Sequence, residues 1–272
     1  MGNIRYKSGE ISKMLGVTPE TIRYYEKHGI VLSSKDQQNG YREFHFFELI
    51  SMQRLRLYNN FGFQLKDSFD LINNKSVDQL NAILQKNEKK LKKTIQWNQR
   101  LLEYSEELIT VTSQIPEMLY HYRIEDSPAV YHLKYQNDRQ VIKNKELEKL
   151  LKHWYAQCPL VLASCVAPLN DMKPWYQAEI GFSIYEKDYE RFIHESSDLV
   201  SYYPSRPSLY TIYEVDHNVE DFYQPGKPAF DYIKENNIDV DNHLLSIPIA
   251  MNCKLTEDSQ PKDYYQLWIP LK

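Results

Sequence analysis

Residues 76–113 contain neither glycine nor proline and are rich in Leu, Lys, Glu and Gln. No other stretch restricts the fold as much. Leu80, Leu84, Leu91, Ile95, Leu101, Leu102, Leu108 and Ile109 form an apolar stripe at helical spacing, with Lys86, Lys89, Lys90, Lys92 and Lys93 outside it. A helix over 77–112 would be ~54 Å long at about 1.5 Å per residue. It cannot bury that stripe alone and needs a partner chain or the rear of its own chain. Asn87 and Asn98 fall at or near seam positions, where polar side chains set register. Pro116 stops the helix, because proline cannot continue one. The pattern divides the chain into a head at 1–75, a long helix at 76–113 and a rear domain at 117–272.

In the head, Ile11, Met14 and Leu15 make the apolar face of a short helix starting near Ser8. Gly16 follows as its left-handed cap. Thr18-Pro19 then reads as an N-cap and first helical position, opening a second helix that ends near Gly29. Helix, glycine turn, helix is the helix-turn-helix pattern. Asn39-Gly40 signals a hairpin between 35–38 and 41–44, the place of a wing. Further helices are expected over Phe46–Asn60 and Leu65–Ile72, with Phe47, Ile50, Leu55 and Leu57 closing a small core.

Physical chemistry suggests what such a head would touch. The Arg23 fork matches guanine edges or phosphate. Thr18 and Thr21 sit at a helix start, where exposed N–H groups attract phosphate. Lys13, Tyr24, Tyr41 and Arg42 are candidate backbone clamps, which fix register. Tyr25 reads equally as core.

The run Thr21-Ile22-Arg23-Tyr24-Tyr25-Glu26-Lys27, with Gly29-Ile30 and the downstream Asn39-Gly40-Tyr41-Arg42, resembles the MerR family of transcriptional regulators. The resemblance is dense over 5–75. It departs at His45, where the family usually places Ser or Thr to cap the next helix. It implies an all-α winged helix-turn-helix head and an antiparallel coiled-coil homodimer on double-stranded promoter DNA. It further implies activation by untwisting and bending a promoter whose spacing is too long for RNA polymerase.

Beyond Pro116, runs at 118–124, 129–135, 177–185, 209–215, 244–252 and 264–271 alternate like strands, and 140–154 and 228–236 read as helices. Two β-α-β-β halves of an α+β effector-binding domain are expected. Phe230-Asp231-Tyr232-Ile233-Lys234-Glu235, Ile247-Pro248-Ile249 and Leu267-Trp268-Ile269-Pro270-Leu271 resemble, more loosely, the GyrI-like domain of BmrR-type multidrug-responsive regulators. Such domains hold bulky, often cationic, aromatic ligands among tyrosines around a buried glutamate. Here Leu244 stands at the glutamate's aligned position, and Gln266 where the closing strand often has an acid. That implies an apolar floor and a neutral or weakly charged hydrophobic small-molecule effector, unless Glu179 or Glu214 restores a charge. Candidate lining residues are Tyr176, Phe182, Tyr213, Leu244, Tyr265 and Trp268, each equally suited to ordinary packing.

Charge agrees with two different partners. Residues 1–112 carry 17 basic and 13 acidic side chains, and 113–272 carry 16 and 24. The three cysteines, Cys158, Cys165 and Cys253, suit a reducing, cytoplasmic setting and offer no metal cluster at the end of the long helix. No cofactor, metal or membrane contact is expected. A hydrolase is the rival reading, but Glu214 and His217 fall on opposite faces of a strand, and no motif surrounds Cys165 or His194. A DNA-binding dimer whose rear domain takes no ligand is the other.

Overall fold

The computed structural model describes residues 4–36, 40–137, 140–169, 179–193, 197–216 and 223–272, with backbone alone at Asn137 and 223–225. The chain resolves into two compact units, Met1–Gln96 and Trp97–Lys272.

The first unit opens with β1 (Arg5–Lys7), α1 (Ser8–Leu15) and α2 (Pro19–Lys27). Gly16 caps α1 at φ 61°, a conformation that side-chain-bearing residues rarely adopt. Thr18 caps α2, its hydroxyl accepting from the Thr21 N–H at 3.2 Å. Strands β2 (Ser34–Lys35) and β3 (Arg42–His45) form the wing, and β1 joins them in the order β1-β3-β2. The head is therefore not purely helical. Asp36 and Tyr41 close the hairpin through Asp36 N–H to Tyr41 O at 2.9 Å, and Gly40 turns it at φ 71°. Asn39 lies outside the described residues.

Helices α3 (Phe46–Asn60) and α4 (Leu65–Asn73) complete the head. His45 makes no side-chain cap for α3. The core is Ile11, Ile22, Ile30, Val31, Phe44, Met52 and Leu55. Expected core residues Phe47 and Leu57 are 76% and 36% exposed, and Met14 is 52% exposed. The reason is angular: Met52 and Leu55 hold the buried side of α3, and Phe47 and Leu57 stand roughly 140° round the helix from Met52.

Helix α5 (Val77–Ser113) runs 37 residues. Asn87 turns onto its own head, donating to Phe61 O at 3.0 Å. Arg100 is fully buried. Its Nε lies 2.5 Å from Asp188 Oδ1 and its Nη2 donates to Asp188 Oδ2 at 2.8 Å.

Pro116 ends α5 as expected, yet it also starts α6 (Ile115–Met118), since proline suits a first helical turn. The strand expected from Met118 begins only at Arg123, after Tyr120 breaks the extended run at φ 57°. The second unit then contains β4 (Arg123–Asp126), β5 (Val130–Asn137), β6 (Gln140–Val141), α7 (Lys145–Tyr155), β7 (Leu162–Pro168), β8 (Glu179–Tyr185), α8 (Glu186–Phe192), β9 (Val200–Tyr203), β10 (Pro207–Asp216), α9 (Tyr223–Glu235), β11 (His243–Cys253) and β12 (Lys262–Pro270). Nine strands form one antiparallel sheet in the order β4-β10-β12-β11-β7-β8-β5-β6, with β9 against β5. The helix expected from Gln140 starts at Lys145. Asn144 caps it by accepting from the Glu146 and Leu147 N–H groups, and Gln140–Val141 pair with β5 instead.

Both long helices of this unit pack on one side of the sheet. Phe230 and Ala229 of α9 cover Leu209, Tyr213, Leu244, Leu267 and Ile269. Leu147, Leu150 and Trp154 of α7 cover Leu133 and Ile184. The other side carries Val130, Val166, Tyr210, Ile212, Leu245, Ile247, Tyr264 and Trp268, with Ile115 and Met118 of α6.

Candidate nucleic-acid interface and effector face

On the head, Lys13, Pro19, Arg23, Tyr41 and Arg42 line one groove together with Lys7 and Gly40. Helices α1 and α2 and the wing thus bring four of the expected contact residues to one place. Arg23 projects outward, its side chain 65% exposed and 3.8 Å from Glu20. The buried face of α2 is set by Ile22 instead. Thr18 and Thr21 share a 3.0 Å hydroxyl contact at the start of α2. Tyr24 is 45% exposed and packs on His28, while Tyr25 is partly buried against the head core.

Glu26 was not singled out from the sequence, and it ties α2 to the wing. Its carboxylate accepts from Arg42 at 2.8 Å and from the Ser33 hydroxyl. Arg42 is therefore braced as well as half exposed. A charge-assisted pair of this kind holds a planar guanidinium in a fixed orientation.

The rear candidates do not share one lining. Tyr213, Leu244 and Tyr265 lie under α9. Phe182 lies on the α7 side, with Tyr135 and Tyr155 near its ring. Trp268, alone of the described candidates, lies on the other face, with Ile115 and Met118 of α6, and Tyr176 lies outside the described residues. Leu244 lies under α9, on the side of the sheet opposite Trp268. Alternation explains the split, because residues three apart on a strand, such as Tyr265 and Trp268, point to opposite faces.

The face opposite α7 and α9 has its own order. Arg123, Tyr210, Trp268, Leu245, Val166 and Glu179 are successive register partners across β4, β10, β12, β11, β7 and β8. Directly paired residues share a face, so these six make one row. Tyr210 and Trp268 have ring centroids 5.4 Å apart. Gln266 donates from Nε2 to the Tyr210 hydroxyl at 3.0 Å. Burial pushes the Tyr210 phenol above its ordinary range, partly offset by that hydrogen bond. At the far end Lys134 pairs with Glu179 at 2.6 Å. Glu214 sits on β10 opposite Tyr264.

Next to that end, His132 Nδ1 lies 3.1 Å from both Ser164 and Ser183 hydroxyls, and its buried Nε2 has no partner. The ring lies over Gly181, where an added Cβ would stand 2.5 Å from Leu133 O and 2.6 Å from His132 Cε1. Burial holds this imidazole neutral, down to about 4. His132 and Ser183 are too deeply buried for a nucleophile and base to meet a substrate. Among the described residues no group of three or more His, Cys, Asp or Glu could hold a metal ion, and no helix is long and apolar enough to cross a membrane.

Residues 7–44 match the family model described as MerR family regulatory protein. The head is a MerR-family helix-turn-helix domain. Around this MerR-type head the chain carries the long helix and the sheet-rich C-terminal domain. Over 251 residues it is 20% identical to the multidrug-efflux transporter 2 regulator of Bacillus subtilis (strain 168), covering 86% of this chain and 85% of the relative. The MerR-type head alone is 34% identical over 64 residues to the transcriptional regulator CueR of Escherichia coli O6:H1, covering 24% of this chain and 47% of CueR. Among solved structures, the EcmrR–DNA complex within an RNA polymerase open complex aligns over 98% of this chain and 99% of that one, at 17% identity and a TM-score of 0.39.

Proposed function

We propose that this chain is a ligand-responsive transcriptional regulator that binds promoter DNA as a homodimer and senses an aromatic, largely hydrophobic small molecule. The observation that carries the reading is the groove in which Lys13, Arg23, Tyr41 and Arg42 meet on a MerR-type head. Basic forks and tyrosine hydroxyls around a helix start suit phosphate and base edges. Residues 1–75 for the head, 76–113 for dimerisation and 117–272 for sensing are the proposed division of labour.

Dimerisation is supported by the exposed stripe of α5. Leu91, Ile95, Leu102 and Ile109 are 40%, 67%, 55% and 64% exposed at four- and seven-residue intervals, the spacing of a coiled-coil seam. Two heads on one dimer suit a two-fold operator. Sensing is supported by the aromatic row on the sheet, and by likeness over most of the chain to a protein named as a multidrug-efflux regulator. RNA polymerase is the proposed further partner, and catalysis forms no part of the reading.

The test is a gel-shift titration on the promoter of the chain's own operon. Arg23→Ala is expected to abolish retention while leaving the circular dichroism spectrum and melting temperature unchanged, because Arg23 buries nothing in the head core. Undiminished affinity in the variant would remove Arg23 from the interface, and wild-type indifference to every promoter fragment would overturn the regulator reading.

A further inference from the structure

At its β4 end, the row across the sheet already holds a cation. The guanidinium carbon of Arg123 stands over the Tyr210 ring, 4.9 Å from its centroid. Its Nη2 lies 2.6 Å from Glu125 Oε2, and its Nε donates to the same oxygen at 2.7 Å. Nη2 also donates to Gln114 Oε1 at 3.4 Å. The second Glu125 oxygen accepts from Trp268 Nε1 at 3.2 Å, which fixes the carboxylate against the ring pair.

An aromatic face, an oriented carboxylate and an amide oxygen are the groups that a planar delocalised cation requires. The walls and the occupant differ in how firmly they are held. Tyr210 and Trp268 are 1% and 4% exposed, whereas the Arg123 side chain is 43% exposed. An ion pair that open to water is weak, so the guanidinium can leave while the rings stay.

We propose that Arg123 is the resident occupant of a cation site formed by Glu125, Tyr210, Trp268 and Gln114, and that a planar amidinium- or guanidinium-type ligand binds by displacing it. The proposal rests on the reading of this domain as the effector sensor. Arg123 acts as an internal competitor, so an external cation sees the site only in the fraction of molecules where it has swung away. Gln114 immediately follows Ser113, the last residue of α5. Displacement therefore breaks a contact at the end of the long helix, which links occupancy to that element.

Calorimetric titration of the full-length protein with benzamidinium, and with benzamide as its neutral isostere, tests this. Arg123→Met and Arg123→Gln, both of which keep most of the stem, are expected to bind benzamidinium about tenfold more tightly than wild type, as removal of an internal occupant predicts. Benzamide affinity should not change. Glu125→Gln should cancel the gain in either background. Unchanged or weakened benzamidinium binding in both Arg123 variants overturns the proposal, and so does a gain that survives Glu125→Gln. A protein stabilised by benzamide, with no Glu125-dependent binding of benzamidinium, keeps the sensor reading and overturns this one. Failure of the regulator reading shows separately, as loss of promoter retention by wild type.

Discussion

His132 makes stability depend on acidity. Its folded value lies near 4, mainly through burial with a smaller opposing pull from Glu179, while the ordinary value is 6.5. A depressed value stabilises the fold above about pH 6.5, and that contribution is lost as pH falls towards 4. The full gap is worth about 3 kcal/mol. Melting temperature should therefore fall across this window more steeply in wild type than in His132→Asn; equal slopes would show that the ring already protonates freely. At this scale the sequence was readable where chemistry is local. Arg23 and Thr18 could be placed because a helix start and its outward face follow from neighbouring residues. His132 could not, since its two serine partners and Gly181 come from β7 and β8, some 30 to 50 positions away.

At the scale of elements, the decisive contact is Arg100 of α5 on Asp188 of α8. Both side chains are 2% exposed, and Glu107 adds a second carboxylate 3.1 Å from the guanidinium. These acids push the Arg100 pKa up, with Asp188 the larger cause. Removing one partner strands the other charge away from water. Arg100→Met should therefore lower unfolding stability by about 3–5 kcal/mol, read from urea denaturation, with Asp188→Asn recovering part of the loss in the double variant. Equal stability of Arg100→Met and wild type would show that the pair is incidental. Most helix limits were legible because caps and prolines are written locally; α3 has no side-chain cap, and its end is marked by Phe61-Gly62. Strands β7 and β9 and helix α8 were not anticipated: β9 and α8 span four and seven residues, too few for a period to show, and β7 lacks a clear apolar–polar alternation. The start of α7 was misplaced because Asn144 is a stronger stop than the apolar pattern before it.

For the molecule as a whole, α5 poses the main question. Its exposed stripe of Leu91, Ile95, Leu102 and Ile109 is the surface the proposed dimer would cover. Ile95→Glu with Leu102→Glu should convert the protein to a monomer in light scattering and remove tight promoter binding. Ile95 and Leu102 are each more than half exposed, so the fold of each chain should survive. A dimer that persists would move the interface elsewhere.

The helix-turn-helix, its wing, the long unbroken helix and the presence of a strand-rich rear domain were all determined by sequence, because each depends on periodicity, caps and turn residues within a few positions. The face of the sheet on which a side chain lies was decided only by the tertiary structure. It follows from register between strands far apart in the chain, and a shift of one residue exchanges the two faces. That is why Trp268 shares its face with Tyr210 and Leu245, and why Arg123, Glu125 and Tyr210 come together only in the folded chain.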